Sequence, residues 1–272
     1  MHEKKTKVAE NSEYSRTFGT ETGAKIVIWK SETMASGKQR RRGADRTDRI
    51  GKGIVLLLAV LLAGSVIGAR AEKKPVRTVM VYMVGSDLEE RFSAASRDLK
   101  EMVQSGADLE RINVVFALGG CRGWTIVPLY DGEMRVGALK NGGQVDWLDG
   151  AQRRDMAQSE TLRYFIDTAM TTFPAEHYDL ILWDHGGGLY GFGRDSVSGN
   201  IMSVRDVAAA LENCGVDRFE AIVFDACLMG SVEVAAMLSP YCDYYAASEE
   251  TMPSTGLDYG FLGSETACGE EA

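Results

Sequence analysis

The sequence predicts an α/β protein built on a mostly parallel sheet with helices on both faces. Three observations predict it. Five short runs are apolar nearly throughout, too continuous for strands with one wet face. Segments with helical spacing lie between most of them. Two of the runs end in glycine-rich turns carrying titratable side chains, "WDHGGG" and "FDACLMG".

Taken in order, residues 79–84 in "VRTVMVYMVGSDLEE" form the first core strand, ending at Gly85-Ser86-Asp87. "FSAASRDLKEMVQSG" places Phe92, Ala95, Leu99, Met102 and Val103 on one helical face and stops at Gly106. "INVVFALGG" is the second strand. "WTIVPLYDGEMRVGAL" alternates around Asp131-Gly132 and reads as a hairpin. "SETLRYFIDTAMTTF" is a helix with Ser159 as its N-cap. "YDLILWDHGGG" is the third strand. "SVRDVAAALENCG" is a helix capped by Ser203 and closed by Gly215. "AIVFDACLMG" is the fourth strand, "SVEVAAMLS" the helix after it, and "CDYYAASEET" the fifth strand. No internal repeat or low-complexity linker interrupts the pattern.

Charge divides the chain. Of 272 residues carrying a formal net charge of −9, the first 71 hold 14 basic and 7 acidic residues, and the rest hold 16 and 32. The folded part is therefore strongly acidic, which excludes a nucleic-acid binder and suits basic substrates. The basic part has its own pattern: "GKQRRRGADRTDRIGKG", then "IVLLLAVLLAGSVIG", then "ARA". A positive flank, a short apolar core and an A-x-A site make a secretory signal peptide over residues 34–71. The core falls short of the roughly 20 residues that span a bilayer. The expected location is outside the cell or in its envelope, with membrane contact only through this segment. An anchor formed by residues 54–69 is the alternative. Met34 is the expected start, which makes residues 1–33 an upstream extension. Residues 72–272 are the expected folded domain.

Five cysteines, an odd number, match no disulfide or zinc spacing, so at least one thiol is unpaired in a monomer. Cys227 and His185 share a topological address. Each follows a buried strand at its carboxyl end, where open parallel sheets place their sites. Strands joined by a crossover often lie side by side, which would bring thiol and imidazole together. A free thiol, with a pKa of about 8.5, is mostly protonated at neutral pH, so a thiolate nucleophile needs such a base. The N–H groups of Gly186 and Cys227 are positioned to hold a developing oxyanion. For His185 alone, a turn histidine satisfied by backbone would be the simpler reading, as would a small core residue for Cys227. Neither explains the matching positions. His177 precedes the third strand, away from this end, and reads as a surface histidine.

"YMVGSDLE", "LILWDHGGG" and "VFDACLMGSVEVA" resemble the clostripain-type (C11) cysteine peptidases, over roughly residues 76–260. The resemblance implies a caspase-like αβα sandwich. It identifies His185 as the catalytic histidine and Cys227 as the nucleophile, with oxyanion-hole amides from Gly186 and Cys227. It also places Asp225 in the S1 pocket, where a carboxylate would pair with a basic P1 side chain. A helix cap or turn acceptor is the structural alternative for Asp225. The implied partners are protein or peptide substrates with Arg, or secondly Lys, at P1. An acidic or asparaginyl preference is disfavoured by Asp225. Some relatives cut themselves between histidine and cysteine, and Arg194 and Arg205 are the candidate positions here, with a solvated surface arginine as the simpler reading of each. Asp195 matches a family loop aspartate. No cofactor or metal is expected. Calcium dependence, known in some members, stays open because the acidic residues form no calcium loop. The caspase-like sheet has a sixth core strand, so the fifth strand here is expected to end an incomplete sheet. A non-catalytic binding protein that kept the fold is the rival reading.

Overall fold

The computed structural model describes residues 15–19, 25–30 and 75–264. The expected signal segment lies outside them. In chain order the strands are β1 (Ser15–Gly19), β2 (Lys25–Lys30), β3 (Arg77–Val84), β4 (Ile112–Gly119), β5 (Glu133–Lys140), β6 (Gln144–Trp147), β7 (Gln152–Arg153), β8 (His177–Trp183), β9 (Phe192–Arg194), β10 (Ile201–Met202), β11 (Phe219–Asp225) and β12 (Cys242–Ser248). The helices are α1 (Asp87–Phe92), α2 (Ala94–Gln104), α3 (Ser159–Thr172), α4 (Val204–Asn213), α5 (Val232–Leu238) and α6 (Phe261–Ser264).

The main sheet runs β1-β2-β12-β11-β8-β3-β4-β5-β6, with β7 also on β5. The five strands expected from sequence form its parallel centre, β12-β11-β8-β3-β4. Its flanks are antiparallel. Within the parallel centre the chain runs from β3 outward to β4, then returns through α3 to β8 on the other side of β3. That reversal leaves a crevice between the ends of β3 and β8, where such sheets place their ligands.

Alternation along β3 shows why both faces are covered. Met80, Tyr82 and Val84 join a core with Phe165 of α3, Leu211 of α4 and Leu238 of α5. Val79, Val81 and Met83 join a second core with Leu99 and Met102 of α2 and Leu262 of α6. Phe224 stacks edge-on against Phe192 at 5.3 Å between ring centroids, and lies 5.8 Å from Tyr245. At the opposite end of the sheet, far from the strand carboxyl ends, His177 Nδ1 lies 2.8 Å from Glu220 Oε2.

Four details depart from the sequence reading. No hairpin turns at Asp131-Gly132: residues 124–130 carry no strand, and β5 pairs instead with β4 and, across Asn141-Gly142-Gly143, with β6. Alternation in that stretch came from loop side chains such as Val127 and Leu129 packing on the core. The helix expected from Phe92 starts at Ala94 as α2, and Phe92, expected on its apolar face, is exposed at the end of a separate short helix, α1, where Ser93 turns left-handed at φ 50°. Ser159 is the first helical residue of α3 and Gln158 is its cap. Finally, β12 does not end the sheet, because β2 pairs antiparallel with its outer side, Ala246 opposite Ile28. By contrast Ser203 caps α4 as expected, in a full capping box with Asp206.

Phe224, 1% exposed, links the core to the loop that follows β11. Phe224→Ala is expected to cost about 3–5 kcal/mol, read as a lowered urea midpoint.

Candidate active site

Three strand ends meet at the crevice. β8 delivers Asp184 and His185, β11 delivers Asp225 and Cys227, and β3 delivers Ser86 and Asp87. Trp183 pairs with Asp225 across the ladder, and the Asp184 N–H donates to the Asp225 carbonyl at 3.3 Å. This register sets the two following loops side by side. A Cβ on Gly186 would stand 2.1 Å from the Cys227 carbonyl oxygen, so only glycine lets the loops approach this closely. His185 and Cys227 line one pocket of about 190 Å³.

Cys227 is half-buried, and its Sγ accepts from the Met252 N–H at 3.2 Å. Leu228, the next residue, sits at φ 63°, a left-handed conformation costly for a branched side chain. The turn is tied down on both sides: Leu228 N–H donates to the Glu250 carbonyl, Gly230 N–H to that of Ser248, and Tyr245 Oη to that of Met229. Among the described residues, neither the Gly186 nor the Cys227 N–H is spent on an acceptor.

His185 is exposed, and its Nε2 lies 2.8 Å from Asp87 Oδ1. The hydrogen bond to His185 draws the Asp87 carboxyl below its ordinary range. This contact leaves the other ring nitrogen for a reacting group. Sequence reasoning missed Asp87, although it named the turn that holds it. The contact spans 98 residues, and no local pattern reports it.

Behind the histidine, buried Asp184 accepts from Ser86 Oγ at 2.5 Å and from the Arg194 N–H at 2.6 Å. Burial pushes its carboxyl up. Asp195, 1% exposed, accepts from the N–H groups of Met156, Val197 and Ser198, each at 2.9 Å. The family-matched aspartate thus clamps the loop between histidine and cysteine. Arg194 is exposed on β9, hairpin-paired with Ile201, and Arg205 is exposed in the first turn of α4.

Asp225 lines the pocket and is 4% exposed. Its Oδ1 accepts from the Leu257 N–H and its Oδ2 from Tyr259 Oη, both at 3.1 Å. Burial raises its carboxyl to about 6. Asp98 of α2, absent from the sequence reading, lines the same pocket at 3% exposure, and burial with Asp225 nearby raises it to about 8. The cysteines Cys121, Cys214, Cys227 and Cys242 are all unpaired, and Cys268 lies outside the described residues. Among the described residues, no three His, Cys, Asp or Glu side chains are grouped to hold a metal ion, and no helix is long and apolar enough to cross a membrane.

A parallel sheet whose central strand ends bring a thiol and an imidazole to one pocket defines the class of protein: an α/β fold with the makings of a thiol-dependent site. Comparison places it more closely. The model of the clostripain family, Peptidase C11, matches residues 81–271, more than half of the chain, and the chain belongs to that family. Two solved structures are similar at 27% identity, each over 70% of this chain. One is a secreted C11 cysteine protease from Bacteroides thetaiotaomicron in complex with an irreversible peptide inhibitor, at TM-score 0.60. The other is an inactive zymogen C11 protease from Parabacteroides distasonis, at TM-score 0.54. A further structure of a secreted C11 cysteine protease from Bacteroides thetaiotaomicron, at 19% identity and TM-score 0.58, supports the fold. This chain spans about half of the two 27%-identical proteins, 53% of each. No curated protein matches it.

The buried carboxyls predict a pH dependence. Asp98, Asp184 and Asp225 are all raised, so between about pH 4, where free Asp titrates, and about pH 8 the folded protein binds more protons than the unfolded chain. Stability therefore falls as pH rises through that window. Urea unfolding should give a higher midpoint at pH 5 than at pH 8; the opposite order would contradict the burial of these groups.

Proposed function

We propose that the protein is an exported cysteine endopeptidase that cleaves peptide bonds after Arg, or secondly Lys. The observation that carries this reading is the meeting of Cys227, His185 and buried Asp225 on one pocket at adjacent strand ends. Family membership supports the chemistry. The secreted relative and the signal-like segment support export.

The steps follow from the groups present. His185 takes the thiol proton and Cys227 Sγ attacks the scissile carbonyl carbon. The carbonyl π electrons move onto oxygen, where the Gly186 and Cys227 N–H groups stabilise the charge. Collapse of the intermediate breaks the C–N bond, and His185 gives its proton to the leaving amine. Water, deprotonated by His185, then attacks the thioester and releases the acid and the thiol. Asp87 is a positioning residue: its contact with Nε2 fixes the ring and favours the imidazolium formed in each step. Asp225 lines the same pocket as Cys227, which supports its pairing with a basic P1 side chain. None of these steps needs a cofactor.

Self-cleavage after Arg194 or Arg205 belongs to the same proposal. Both side chains are exposed, but their peptide bonds lie in a hairpin and a helix. A cut at either requires that element to open first.

An arginyl chloromethyl ketone tests the reading. Intact mass should show one adduct mapping to Cys227, absent in Cys227→Ala; an unlabelled folded protein would refute it. On an arginyl peptide, Asp87→Ala should lower kcat on the order of tenfold or more with KM nearly unchanged, and Asp87→Glu should restore part of the loss.

A further inference from the structure

The pocket beside Cys227 contains a second buried carboxylate, and the two are not equivalent. Asp225 has one hydrogen bond on each oxygen, from Leu257 and Tyr259. Asp98 has one in total: Oδ2 accepts from the Trp183 indole N–H at 2.6 Å. Among the described residues its Oδ1 accepts nothing. The residue is only 3% exposed, yet it forms part of the pocket wall.

Among the described residues no cation forms an ion pair with either carboxylate, and Arg97 acts on Asp98 only through its more distant charge. The groups that face Asp98 are Asp225 at the end of β11, Tyr259 in the segment after β12, Trp183 of β8, and Glu101 and Arg97 on its own helix. Arg97 is exposed and reaches toward the Ser254 carbonyl. Two buried carboxylates without a counter-charge are costly. A proton relieves that cost when the pocket is empty, which agrees with the raised Asp98. A cationic ligand would relieve it better, since it satisfies both groups and the unused oxygen together.

We propose that Asp98 is a specificity-determining residue that binds the cationic head of the P1 side chain jointly with Asp225. This rests on the basic-P1 reading above and extends it. The family resemblance singles out Asp225, but in the fold Asp225 is largely committed to the loop that shapes the pocket. Asp98 holds the open acceptor. A guanidinium or amidinium, with several donors in a plane, can span two carboxylates in a way that a single acceptor cannot reward. The Trp183 indole, fixed by the same register that positions His185, keeps the Asp98 carboxylate in place.

The test uses the full chain with two probes of matched shape, p-aminobenzamidine, which is cationic, and p-aminobenzamide, which is neutral. Fluorescence titration gives Kd for each. The wild type should bind the cation and discriminate against the neutral analogue. Asp98→Asn keeps an acceptor for Trp183 and removes the charge; it should weaken the cation about tenfold or more and leave the neutral probe unchanged. Asp98→Ser repeats the test with different packing, in case the first variant does not fold. Glu101→Gln, which alters a neighbouring exposed acid outside the pocket wall, should bind as wild type. Unchanged cation binding in a folded Asp98 variant, with the wild type still discriminating, overturns the role of Asp98 and leaves the basic-P1 reading intact. A wild type that does not discriminate overturns both.

Discussion

The structure depends on the closeness of two backbones. Gly186 lies against the carbonyl of Cys227, nearer than any side chain would permit. That contact follows from the ladder below it, where Trp183 is opposite Asp225 and the Asp184 N–H reaches the Asp225 carbonyl. Parallel pairing in this register brings the residues after each strand to the same height. The imidazole and the thiol share a pocket because their strands are neighbours. A shift of one residue would turn Asp225 and Trp183 to the opposite faces of the sheet.

Around that contact the protein invests in rigidity. Asp184 and Asp195 hold the segment between histidine and cysteine through five short hydrogen bonds, four of them from backbone N–H groups. Each carboxylate is buried, so its hydrogen bonds gain strength from the low local dielectric. The same burial makes the carboxyls of the pocket beside Cys227 expensive. Among the described residues, Asp98 and Asp225 have no ion-pair partner, in a chain whose sequence beyond residue 71 is already acidic. Such an arrangement sacrifices stability at neutral pH, which is common where a binding site needs unsatisfied charge. Leu228 at positive φ is a second instance, one residue from the thiol.

The edges of the sheet are managed differently on its two sides. Beyond β4, the antiparallel strands β5, β6 and β7 extend it. Beyond β12, residues 25–30 do so, a segment whose alternating "KIVIWK" pattern the sequence reading had set outside the fold. A strand there satisfies the outer N–H and C=O groups of β12, which would otherwise present an open edge.

Much of this was legible in the residues themselves. The five core strands are continuous apolar runs because they are buried on both faces, and burial on both faces is a local property of sequence. Ser203 and Asp206 at the start of α4 are equally local, since a capping box closes within four residues. His185 and Cys227 could be found because strand ends are readable and parallel topology says which ends converge. Asp87, Asp98 and the clamp at Asp195 were not readable as parts of a site. Their partners lie 98, 85 and 39 residues away, and no periodicity encodes a contact made by loops folding back over a sheet. The false hairpin at Asp131-Gly132 has the same origin, because loop side chains packed on a core alternate just as strand side chains do. The sequence by itself determined which segments are buried and where the titratable groups of the candidate site fall along them. Only the tertiary structure decided which carboxylate turns the histidine, which one clamps its loop, and which faces the pocket with an oxygen to spare, because those choices depend on distances between segments remote along the chain.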